Sequence, residues 1–115
     1  MIALLVESRC TACNACVRAC PTNVFEAVAD GPPLIARQTD CQTCYMCELY
    51  CKADALFVAS DCERPEPVDE ATVVASGLLG VFRRDSGWDE HEGDPRYANE
   101  QWYMGEVFKR ARSGA

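Results

Sequence analysis

The 115-residue chain is short of basic charge, of histidine and of long apolar runs. Eleven Lys and Arg stand against 18 Asp and Glu, a formal net charge of −7, which excludes the basic stripe that a phosphate backbone demands. Acidic surface of this kind suits docking on a basic patch of a protein partner. The opening apolar stretch, Met1 to Val6, has no basic flank and stops at Glu7, so no export signal is expected. The longest later one, Val73 to Phe82, contains Ser76, Gly77 and Gly80 and falls far below the ~20 residues of a membrane span. The only histidine, His91, lies in the acidic stretch Asp85 to Gly93, which reads as a solvated loop. No nucleophile, acid–base pair or phosphate-cradling loop stands out. Catalysis by this chain alone is not expected, and a cytoplasmic location is.

Cysteine is what the chain has in excess. Nine are present, and eight fall in two runs of identical spacing, C-x2-C-x2-C-x3-C: Cys10, Cys13, Cys16 and Cys20, then Cys41, Cys44, Cys47 and Cys51. Each cysteine of the first run recurs 31 positions later in the second, Cys10 as Cys41 and Cys20 as Cys51. A disulfide framework belongs to small secreted domains, and the odd count with no export signal argues against it. Two tetrahedral zinc sites are the other alternative, but zinc ligands come as C-x2-C pairs set further apart. The ninth cysteine, Cys62, matches neither run and reads as a plain thiol.

The surrounding sequence repeats with the cysteines. Ile2 to Val6 reads as a strand, Val17 to Cys20 as a helical turn stopped by Pro21, and Val24 to Val28 as a half-buried strand. Asp30-Gly31-Pro32-Pro33 signals a turn into a paired strand, Leu34 to Ala36. Cys47 to Cys51 repeats the helical turn, and Ala55 to Ala59 repeats the strand, which should pair with Ile2 to Val6. The runs differ in their shells: Tyr45, Met46, Leu49 and Tyr50 are bulky where the first run has Asn14, Ala15, Arg18 and Ala19, and Lys52 replaces Pro21.

With these motifs, residues 1–62 resemble the bacterial two-cluster ferredoxins, in which the fourth cysteine of each run ligates the other run's cluster. The resemblance implies two [4Fe-4S] clusters, one held by Cys10, Cys13, Cys16 and Cys51 and the other by Cys41, Cys44, Cys47 and Cys20. It implies an α+β, pseudo-twofold, ferredoxin-like two-cluster fold with two β-hairpins and short helices. Unequal shells imply inequivalent clusters.

Residues 63–115 form an extension that the ferredoxin unit does not require. Pro65-Glu66-Pro67 is stiff, Asp69 caps a short helix from Glu70 to Ser76, and Asp94-Pro95 starts a terminal helix over about 95–112. Tyr97, Gln101, Met104 and Phe108 share one face of that helix, with Trp102 beside them. Such anchors are typical of interfaces, and Phe82 and Trp88 are expected to join them against another chain. The plan is similar to the small iron–sulfur subunits of flavoprotein oxidoreductases such as adenylylsulfate reductase. That resemblance implies a flavin-bearing large subunit clasped by the extension, FAD in that partner, and a soluble electron donor or acceptor. The alternatives are a free, diffusible ferredoxin and a structural or assembly iron–sulfur protein.

Overall fold

A computed structural model describes residues 1–98. In chain order it holds β1 (Ile2–Leu5), α1 (Ala15–Ala19), β2 (Phe25–Val28), β3 (Gly31–Ile35), α2 (Met46–Tyr50), β4 (Leu56–Val58), α3 (Glu70–Ser76) and α4 (Val81–Asp85). Two 3-10 turns, Gln38–Asp40 and Pro95–Tyr97, complete it. β1 pairs antiparallel with β4, Leu5 opposite Leu56 and Ile2 opposite Val58, with a bulge between Ile2 and Leu4. β2 pairs antiparallel with β3, Phe25 opposite Ile35. Helix α1 packs on α2 between the sheets.

Pattern explains placement. Ile2, Phe25, Leu56 and Val58 from the strands, and Val24 just before β2, form one core cluster with Cys16, Cys20 and Cys47. Burying such side chains is the main favourable term in folding. The Met1 ammonium donates to the carbonyls of Ala59 (2.9 Å) and Asp61, and the Gln38 amide donates to Ile2 O at 2.8 Å, so β1 is held from three sides. Pro32 and Pro33 lie within β3, which among the described residues has no further strand beyond it and so tolerates residues without an N–H.

The fold expected from the resemblance needs correction. Only β2 and β3 form a hairpin; β1 and β4 come from opposite ends of the cysteine-bearing segment. The architecture is a small mixed α+β one with two two-stranded sheets, and it does not by itself identify a two-cluster ferredoxin.

The start of the extension also differs from expectation, because it packs on its own chain. Asp69 caps α3, accepting from the N–H of Thr72 at 3.0 Å and from its hydroxyl at 2.8 Å, and Gly77 ends the helix at φ 75. Val73 and Leu79 are buried with Val6, and Leu4, Phe57 and Val68 pack around them. Phe82 meets Tyr45 at 4.9 Å and Trp88 meets Tyr50 at 5.5 Å between ring centroids. The bulky shell of the second cysteine run is therefore the seat of the chain's own extension. Asp94 caps the turn at Pro95 by accepting from Arg96 N at 2.9 Å; the expected terminal helix beyond it lies outside the described residues. Among the described residues no helix is long and apolar enough to cross a membrane.

Two outcomes follow for stability. Leu56→Ala leaves a cavity in the main cluster and should lower unfolding free energy by about 2–5 kcal/mol, read from the shift in denaturant midpoint. Glu48, buried on α2, accepts from Val58 N at 2.9 Å, and burial raises its pKa, opposed by that hydrogen bond. The folded carboxyl thus keeps its proton to higher pH than the unfolded one, so its stabilising contribution is complete at low pH. It is lost as pH rises from about 4.3, the unfolded value, through the raised folded value. Glu48→Gln keeps an acceptor oxygen without the charge and should remove this fall: its stability relative to the natural protein should be higher at about pH 7 than at about pH 4, measured by urea unfolding at both.

Candidate functional site

The two cysteine loops are built from the same backbone. Left-handed residues recur 31 positions apart: Ala12 and Thr43 (φ 58 and 55), Asn14 and Tyr45 (58 and 62), Asn23 and Asp54 (60 and 52). A left-handed residue costs an L-amino acid energy, and its repetition at matched positions shows one loop design used twice. Asn14 and Tyr45 stand at the starts of α1 and α2, turning the chain so that the helices carry Cys16 and Cys47 inward.

These loops aim backbone N–H groups at sulfur. Ala12 N donates to Cys10 Sγ and Thr43 N to Cys41 Sγ, each at 3.4 Å. Val24 N donates to Cys20 Sγ and Ala55 N to Cys51 Sγ, again at 3.4 Å, while Ile2 N reaches Cys41 Sγ at 3.2 Å. Donors of this kind favour the thiolate.

The eight thiols divide between two cavities. One is walled by Cys10, Cys13, Cys16 and Cys51, with Asn14 and Leu56; the other by Cys20, Cys41, Cys44 and Cys47, with Val24 and Tyr45. Each thus takes three thiols from one run and the fourth from the other. Burial pushes the Cys16 thiol up to about 12, and proximity to Cys51, Cys10 and Cys13 adds to the rise. Cys44 is raised by burial first, then by Cys20 and Cys41. Cys47 is raised well above the ordinary thiol value by burial and then by Glu48. Burial likewise raises Cys51, against the N–H groups of Ala55 and Ala53. Crowded thiols of this sort resist losing their protons together unless positive charge enters between them.

Metal ligation, however, is not what the side-chain placement shows. Among the described residues no group of three or more His, Cys, Asp and Glu is placed to hold a metal ion. The sulfurs ring a space and do not meet at the ~2.3 Å reach of one ion's coordination shell. This corrects the expectation of two [4Fe-4S] clusters and the metal-binding, iron–sulfur reading attached to it. It also removes the ground for a relay through such clusters to a partner's FAD, and for the free-carrier and assembly alternatives.

Other residues singled out in the sequence have local roles. Arg18 donates to Cys13 O at 3.0 Å, tying its own loop. Cys62 is exposed and lines neither cavity. His91 stacks on Tyr97, centroids 4.7 Å apart, and Asp89 pairs with Arg83. The sequence did not reveal Asp54, Glu48 or Arg37, whose partners lie 10 to 30 residues away; only the offset between Asn23 and Asp54 marked the position of one of them.

Comparison with known proteins gives a partial likeness. Residues 4–26 match the family described as 4Fe-4S binding domain. That segment contains the whole first run but covers less than half the chain, so the likeness to a two-cluster ferredoxin over residues 1–62 is narrowed to it. No curated protein and no solved structure matches the chain.

Proposed function

We propose that the chain is a small binding module whose eight cysteines act as two crossed four-thiol sites. Each site takes a thiophilic ligand: one through Cys10, Cys13, Cys16 and Cys51, the other through Cys20, Cys41, Cys44 and Cys47. The observation that supports this is the partition of the thiols, three from one run and one from the other around each cavity. Further support comes from the preset N–H donors on Cys10, Cys20, Cys41 and Cys51. Burial holds protons on Cys16, Cys44, Cys47 and Cys51, and a thiophilic ligand that takes their place releases them. The chain's own part is to donate sulfur, to fix its direction through the left-handed turns and to limit water through Val24, Leu56 and Tyr45.

The functional division we propose falls at residue 62, with the sites in residues 1–62 and partner binding in residues 63–115. The partner is a larger, flavin-bearing chain, engaged through the segment that carries Trp102, Tyr103 and Phe108. A soluble redox protein is the second expected contact. Nine cysteines outside any assigned disulfide favour a reducing compartment such as the cytoplasm.

Thiol accessibility tests the binding reading directly. In protein purified without oxygen, Cys62 should react at once with a maleimide while the eight other cysteines are protected, although Cys13 and Cys44 are exposed in the bare chain. Native mass spectrometry then identifies what protects them. Cys51→Ala and Cys20→Ala should each lower the bound amount by about half, as independent sites do. Nine equally reactive thiols and no bound group overturn the proposal.

A further inference from the structure

The loop that delivers Cys51 to the first site is gripped by the extension. Asp54 is left-handed and its N–H donates to Cys51 O at 3.2 Å, while the next residue, Ala55, donates to Cys51 Sγ at 3.4 Å. The carboxylate of Asp54 is held by Arg83, Nε at 3.1 Å and Nη2 at 3.3 Å, and by Arg84 Nη1 at 3.1 Å. Arg83 is itself fixed by Asp89. Side chains of Arg83 and Asp54 are only 14% and 17% exposed, so solvent screens this pair far less than a surface one. Gly80 makes the approach possible: its φ is 80, and a Cβ there would stand 2.3 Å from the carboxyl carbon of Asp54.

The first half solves the same problem differently. Asn23, the counterpart of Asp54, presents its carbonyl to Arg37 Nε at 2.6 Å, and Arg37 also reaches Phe25 O and the Glu26 carboxylate. The counterpart of this contact in the second loop is Arg9, whose Nη1 donates to Asp54 O at 3.4 Å, so each loop is tied at its backbone from within residues 1–62, and Cys51's loop adds the carboxylate grip of Arg83 and Arg84.

We propose that Arg83, Arg84 and Gly80 are positioning residues for Cys51, so that this ionic clamp of the extension sets the geometry of the first four-thiol site, separately from the Phe82–Tyr45 contact beside the second. The proposal rests on the reading of the cysteines as two binding sites.

Site-resolved alkylation of the full chain with N-ethylmaleimide, read by peptide mass spectrometry, tests it. In R83A/R84A the labelling rate of Cys51 relative to Cys20 should rise about tenfold, as local opening of that loop requires. R83K/R84K should recover most of the protection, G80A should reproduce the rise, and Arg37→Ala should raise Cys20 relative to Cys51. Equal rises at the two cysteines, or none, overturn the proposal. Should R83A/R84A unfold, Asp54→Asn decides: a rise confined to Cys51 supports the clamp and no rise refutes it. If the sites bind nothing, every cysteine starts reactive but the Cys51-to-Cys20 contrast between natural and variant chains survives, so the two readings fail separately.

Discussion

The antiparallel pairing of β1 with β4 is the contact on which the rest depends. It joins residues more than fifty positions apart, Ile2 with Val58, and so lays the second cysteine run against the first. Without that closure Cys51 would sit far from Cys10, and neither four-thiol wall would be complete. Local signals shape each loop, but only this long-range pairing, reinforced by the Met1 ammonium and the Gln38 amide, brings the two together.

Symmetry in the backbone coexists with asymmetry in what covers it. The left-handed positions and the N–H donors to sulfur repeat at the 31-residue offset. Side chains do not: the second run offers Tyr45 and Tyr50, and these receive Phe82 and Trp88. The outcome is two sites of common geometry and separate surroundings, with α4 leaning on α2 and the acidic carboxyl of Glu48 buried on that side alone.

Much of the secondary structure was legible because its causes are local. The alternation of Val24 to Val28 and the cap at Asp69 each act within a few residues, and the structure places elements at both; the turn expected over Asp30 to Pro33 is shorter, because Gly31, Pro32 and Pro33 already belong to β3. What the thiols do was not legible, since sulfur placement depends on the closed chain and, among the described residues, no group of three or more ligands is placed to hold a metal ion. Nor was the seat of the extension: Arg83 and Asp54 are 29 residues apart, and no spacing rule joins them. Phe82 and Trp88 read as anchors for another chain, and in the structure they meet Tyr45 and Tyr50 of their own.

The consecutive prolines of β3 have a meaning for the chain in crowded solution. Every strand of a two-stranded sheet is an edge, and an edge with free N–H and C=O groups invites further strands to add on. At Pro32 and Pro33 β3 offers carbonyls only, so an incoming strand cannot complete a ladder there. Among the described residues β3 is thereby the one strand whose edge is closed to addition, while β1, β2 and β4 carry no proline.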